Sequence, residues 1–147
     1  MTEAHPDGTV TTHLDGHVLV ITIDREKKRN GFTPKMLEEL AKSYTELEAN
    51  DEARVGVLTA AGAHFTAGLD LPKVVATMES NIRLFSGTYV DPCDNVAPLR
   101  HKPVVCAVQG ITYTLGIELM LAADITVAAS DCRFSQLEIK RGILAFG

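Results

Sequence analysis

The chain has 147 residues, 46% hydrophobic and 22% charged, with a formal net charge of -5. That length suits one domain able to bury a sizeable core, and the acidic balance gives no electrostatic footprint for nucleic acid or an anionic membrane surface. Cys93, Cys106 and Cys132 are odd in number, widely spaced and without a CxxC pair, which argues for reduced, apolar thiols in a cytoplasmic setting and against a disulfide framework or zinc site.

Thr9 to Leu14 and His17 to Ile23 read as strands, with Asp15-Gly16 as a two-residue hairpin signal between them. Asp24 to Gly31 is a charged loop. Thr33 and Pro34 supply an N-cap and a first helical residue, and Met36, Leu37, Leu40, Tyr44 and Leu47 recur at helical spacing until Asn50-Asp51. Arg54 to Ala60 is a short apolar strand, Ala61-Gly62-Ala63 a turn, and a helix is expected near Pro72. Asn81 to Pro98 lacks periodicity and reads as a loop or lid. Val104 to Val108 is a buried strand, Leu115 to Ala122 a short helix, and Ile125 to Ala129 and Arg133 to Gln136 are further strands.

The most apolar stretch, Pro103 to Ala129, is interrupted by Glu118 and Asp124. Its charge-free part falls short of the roughly 18 residues needed to span a bilayer, so it reads as core. Met1 to Gly16 has no apolar signal-peptide region, and no Gly/Ser linker marks a second domain. Strands and helices in this order give an α/β fold, without deciding between a doubly wound sheet and another arrangement.

Two glycine-containing loops carry the chemistry. His64-Phe65-Thr66-Ala67-Gly68-Leu69-Asp70-Leu71 follows the third strand, and Gln109-Gly110-Ile111-Thr112-Tyr113-Thr114-Leu115-Gly116-Ile117-Glu118 follows the fourth. Each suits backbone N–H donors turned toward developing negative charge, with Glu118 and Glu138 as carboxyls that move protons. Taken singly, Gly68 and Gly116 also suit ordinary tight turns, Glu118 a dipole-favoured first helical turn, and Glu138 a solvated loop. His64 reads as a solvated loop histidine, and the histidines show no metal-ligand spacing.

The ordered set Ile21-Thr22-Ile23-Asp24-Arg25, Asn30, then Gly62, Phe65, Ala67-Gly68, Asp70-Leu71, then Lys102-Pro103, Gly110, Gly116, Glu118-Leu119, Ala123-Asp124, then Phe134, Gln136, Glu138 and Gly142 resembles the crotonase superfamily. The resemblance runs from about Val18 to Gly147. It implies a crotonase-like (ClpP/crotonase) spiral of ββα units, present as one incomplete core domain over residues 1–147, C-terminally truncated relative to the usual family chain. It implies backbone N–H donors at Leu69 and Leu115 for an acyl-CoA thioester oxygen, and catalytic carboxyls at Glu118 and Glu138. Contacts to substrate or CoA would come from Lys28, Arg29, Ala67, Gly68, Asp70, Leu71 and Gly116.

The implied reaction is hydration of a 2-enoyl-CoA, with double-bond isomerisation or a non-catalytic CoA-binding or assembly fragment as alternatives. No metal and no cofactor beyond substrate CoA is implied, nor a nucleic-acid or membrane partner. The family assembles as trimers or dimers of trimers, so a homo-oligomer is expected.

Three departures stand out. Thr114-Leu115-Gly116 replaces a glycine-rich run, so two branched side chains are expected to narrow the pocket. Leu137 replaces a proline. Phe146 stands where dienoyl-CoA isomerases carry an aspartate, which disfavours that reaction.

Overall fold

The computed structural model describes residues 5–76, 85 and 87–142. Strands β1 (Thr9–Asp15) and β2 (Val18–Asp24) form the antiparallel hairpin, with Asp15 paired to Val18. Its two turn residues are therefore Gly16 and His17, one position beyond the expected Asp15-Gly16. Gly16, at φ +56°, takes the left-handed place that this tight connection requires.

Helix α1 (Pro34–Ala49) begins as its sequence dictates. Thr33 accepts a hydrogen bond from the Met36 amide at 3.3 Å, with Pro34 in the first turn. Met36, Leu37, Leu40, Tyr44 and Leu47 are all buried, on the face turned toward the sheet. Burying each such side chain is worth about 1.5–3 kcal/mol.

The main sheet has the order β1-β2-β3-β4-β6, where β3 is Val55–Ala60, β4 is Val104–Val108 and β6 is Ile125–Ala128. All pairs after the first are parallel. Ile21 pairs with Leu58, and Leu58 with Cys106, so one face carries a continuous row of buried side chains. Burial pushes the Cys106 thiol up to about 12, as expected of an apolar filler. No described cysteine is in a disulfide.

A second, smaller layer makes the architecture a spiral. Strand β5 (Ile111–Tyr113), not anticipated from the sequence, pairs in parallel with β7 (Arg133–Ser135). Isolated bridges Phe32 to Leu69 and Thr66 to Thr112 continue that layer. Each turn thus runs from a main-sheet strand through a short second-layer segment into a helix. β2 leads through Phe32 to α1, and β3 through Thr66–Leu69 to α2 (Leu71–Val75). β4 leads through β5 to α3 (Leu115–Ala122), and β6 through β7 to a 3₁₀ turn at Glu138–Arg141. This is the expected repeat of ββα units.

Residues 87–98 are irregular and are organised by Asp91, whose buried carboxylate accepts from the amides of Cys93, Asn95 and Val96. The rest of the expected lid, residues 81–84 and 86, lies outside the described residues, as does Phe146. One expectation about burial is not met. β6 is as apolar as its sequence promised, yet all its residues are exposed, because β6 is the sheet's edge and its contacts with β4 and α3 leave its side chains open. Leu121 (73% exposed), Phe134 (47%) and Ile139 (82%) are further exposed apolar side chains.

Candidate active site

The first loop is held by a scaffold built on Asn30. Its side chain accepts from the Arg25 amide at 2.7 Å and donates to the carbonyls of Ala61 at 2.9 Å and His64 at 2.8 Å. The Thr66 hydroxyl donates to the Asn30 carbonyl at 2.6 Å. Beside it the buried Arg25 guanidinium binds the Asp70 carboxylate at 2.8 Å and the Gly31 carbonyl at 2.9 Å.

With this support, the backbone of the loop is almost fully paired. Phe65 donates to Gln109, Thr66 to Ile111, Ala67 to Arg29, Asp70 to Phe32 and Leu71 to Leu69, while Gly68 donates to the Thr66 hydroxyl. Beyond the entry residue His64, Leu69 is the exception: its N–H has no acceptor among the described residues.

The second loop repeats the pattern. Ile111 donates to His64 Nδ1 at 3.3 Å, Tyr113 to Thr66 and Thr114 to Ser135. The Leu115 N–H has no acceptor among the described residues, and it opens α3. Leu69 and Leu115 each lie three positions beyond the bridged pair Thr66 and Thr112. Two unpaired donors therefore leave one bridge in the same register. The first-turn amides of α3 also present its positive dipole end.

Glu118, in the first turn of α3, and Glu138, at the start of the last 3₁₀ turn, are each only 8% exposed. The parallel strands β5 and β7 end together, with Tyr113 paired to Ser135, so both carboxyl-bearing turns start from one edge of the small layer. Gln136 donates from Nε2 to Glu118 Oε1 at 3.3 Å. Glu138 Oε2 and Gln136 Oε1 are buried without a hydrogen-bond partner among the described residues. The Cys93 thiol is pushed up first by burial, then by the charges of Asp91 and Glu118, which puts Cys93 in the neighbourhood of that carboxyl. Among the described residues no acidic, His or Cys cluster could hold a metal ion.

The remaining expected residues divide. Gly68 has φ +95°, and a Cβ there would meet Thr114 Oγ1 at 1.9 Å, so only glycine fits. At Gly116 a Cβ would meet Thr66 Cγ2 at 2.6 Å, so α3 is packed directly on the first loop. Ala67 is tied to Arg29 through the backbone, and Leu71 opens α2. The Asp70 carboxylate is occupied by Arg25.

Lys28 and Arg29 are exposed on the loop after β2. Arg29 lines two open cavities together with His64, of about 280 Å³ and 480 Å³. His64 is a correction. It is half-buried and its ring nitrogen accepts from the second loop, so it joins the two loops and is not simply solvated. The two bulky residues of the second loop also behave differently from each other. The Leu115 side chain is 1% exposed within the core and does not crowd the loop, whereas Thr114 turns its side chain onto Gly68. Arg25, Asn30 and Gln136 are supporting residues that a search for donors and acids overlooks. Asn30 at φ +53° carries the clearest signal, since asparagine tolerates left-handed backbone.

Residues 14–147 match the family described as Enoyl-CoA hydratase/isomerase. The solved structure of a probable enoyl-CoA hydratase/isomerase from Mycobacterium abscessus superimposes with a TM-score of 0.85 at 43% identity, covering 93% of this chain and 52% of that one. Enoyl-CoA hydratase EchA1 from Mycobacterium marinum gives 0.81 at 33% identity, covering 96% and 53%. A short-chain-enoyl-CoA hydratase from Clostridium acetobutylicum is 33% identical, covering 91% of this chain and 51% of the relative. The chain belongs to the enoyl-CoA hydratase/isomerase family, has the crotonase fold, and spans about half the length of the relatives it matches.

Proposed function

We propose that this chain carries the hydratase machinery for a 2-enoyl-CoA thioester. The observation that supports this best is the matched pair of unpaired amides, Leu69 and Leu115, beside two buried carboxyls, Glu118 and Glu138. The thioester oxygen would sit between the two N–H groups. Water adds its oxygen to the β-carbon and a proton is delivered to the α-carbon. One carboxylate takes a proton from the water while a carboxylic acid supplies the other, so the pair ends with its proton count unchanged. Charge accumulates transiently on the thioester oxygen, where losing one fixed donor can lower the rate by roughly 10²–10³.

Lys28 and Arg29 are proposed to meet CoA phosphates. Ala67, Gly68, Asp70, Leu71 and Gly116 would line the thioester and pantetheine path largely through backbone. No cofactor beyond substrate CoA is part of this reading. The compartment proposed is the cytoplasm, on the chain's free thiols. No helix among the described residues is long and apolar enough to cross a membrane. We also propose a homo-oligomer, supported by the apolar surface of Leu121, Ile125, Val127, Phe134 and Ile139. A concentration-independent light-scattering mass near 15.9 kDa would refute it.

The test of function is loss of the conjugated thioester absorbance on adding crotonyl-CoA. Activity should collapse in both Glu118→Gln and Glu138→Gln. One observation favours a second reading, double-bond isomerisation by a single shuttle: of the two carboxyls, Glu138 has the oxygen without a partner. If Glu118→Gln leaves double-bond migration intact while Glu138→Gln abolishes it, the isomerase reading replaces the hydratase one. Measurable CoA binding with neither reaction would identify a binding fragment.

A further inference from the structure

Thr114 combines features that are costly for a threonine. Its backbone is at φ 51° and ψ -116°, a region almost confined to glycine and a genuine outlier for a β-branched side chain. The residue is only 8% exposed, yet its hydroxyl has no hydrogen-bond partner among the described residues and does not cap α3. Unlike the Thr112 hydroxyl, it is not sealed from solvent, so it faces open space beside the two loops. The cost that falls on this residue is that of its backbone, and its position gives the reason.

Thr114 is bonded to Leu115, the residue of one unpaired amide. Its Oγ1 packs against Gly68, the neighbour of Leu69, which carries the other, so closely that a Cβ on Gly68 would lie 1.9 Å from it. The hydroxyl thus stands in the seam where both loops present free donors. Its backbone is fixed from outside the seam, because the Thr114 amide donates to Ser135 at 3.0 Å and its carbonyl accepts from Ile117 at 2.8 Å. Those bonds fix the direction of the Thr114 Cα–Cβ bond, leaving χ1 to set where the hydroxyl points.

We infer that the Thr114 hydroxyl is a third hydrogen-bond donor to the oxyanion held by Leu69 and Leu115, so that this chain supplements two backbone amides with a side-chain O–H. The inference rests on the acyl-CoA reading above. A hydroxyl can rotate its proton toward whichever oxygen is bound. A donor made to developing charge contributes more in the transition state than in the ground state. The rival is that the side chain only fills the space opposite Gly68.

The decisive probe is 4-(dimethylamino)cinnamoyl-CoA, whose absorption moves to longer wavelength as its carbonyl is polarised, titrated into the full 147-residue chain and into Thr114→Ser, Thr114→Ala and Thr114→Val. Wild type should shift the band, and Thr114→Ser should retain most of the shift. Thr114→Ala and Thr114→Val should lose at least half of it, with binding of the probe weakened less than threefold. With crotonyl-CoA, kcat should fall about 10–100-fold in the hydroxyl-free variants while KM changes less than threefold. Thr114→Val keeps the branched shape, and the Ser/Ala pair decides the matter should Val not fold. A wild-type shift that survives in Thr114→Ala overturns this inference alone. No binding by wild type overturns the proposed function and this inference with it.

Discussion

Gln136 ties the two carboxyl positions together: its amide donates to Glu118 Oε1 at 3.3 Å, while it stands two residues before Glu138 on the strand–turn segment that pairs with the second loop. That bond holds the Glu118 carboxyl in one rotamer. Gln136→Leu is predicted to lower kcat for crotonyl-CoA hydration by about tenfold while KM changes less than threefold. An unchanged kcat would reduce Gln136 to a packing role.

Glu138 presents the opposite case, a buried carboxyl whose Oε2 has no partner among the described residues. Such a group lowers stability in exchange for chemistry. Glu138→Leu should therefore unfold at least about 1 kcal/mol later in urea than wild type, while losing hydration. A destabilised Glu138→Leu would mean that the carboxyl is structurally satisfied.

The Gly68–Thr114 contact predicts a double-mutant cycle. Gly68→Ala combines a φ of +95° with a Cβ 1.9 Å from Thr114 Oγ1, and should cost more than about 2 kcal/mol. Thr114→Gly relieves an outlier backbone and should itself gain about 1 kcal/mol. Together they should recover at least half of the Gly68→Ala loss, a coupling read from chemical denaturation. Simple additivity would show that the clash is not what excludes alanine.

Asp124 sets an acid limit. The Val104 amide, at 2.8 Å, and then the Arg100 guanidinium, at 2.6 Å, hold its carboxyl below the usual carboxylate range. A depressed carboxyl stabilises the fold above its unfolded value near 3.9, and the contribution disappears as pH falls through the folded value. Asp124 is half-exposed, so screening limits the pair to about 1 kcal/mol. Thermal melts of wild type and Asp124→Asn should differ most near neutrality and converge toward pH 3.

Much of the fold was legible because it rests on local rules. Thr33 and Pro34 announce α1, its apolar face repeats at helical spacing, and β4 and α3 appear with the bounds their sequence gives. β5 was not legible: Ile111–Tyr113 is a strand only because Arg133–Ser135 lies beside it. The donors Leu69 and Leu115 came from resemblance, since no side-chain chemistry marks a free amide. The strain at Thr114 was invisible for the same reason, because a threonine in sequence says nothing of the sign of its φ. His64 was misread because its partner, the Ile111 amide, lies on another turn of the spiral.

The spiral has a consequence for how such a chain can diverge. One bridge, Thr66 to Thr112, sets the register of both donors. An inserted residue between Thr66 and Leu69, or between Thr112 and Leu115, would dismantle the pair, whereas changes of length between α2 and β4 leave it untouched. The donors are main-chain groups, so the donor function itself constrains neither side chain, and Leu115 is held to an apolar type only by its place in the core. Lineages built on this plan can therefore exchange acids at positions such as 118 and 138, and so change the reaction, while inheriting the anion-holding framework intact.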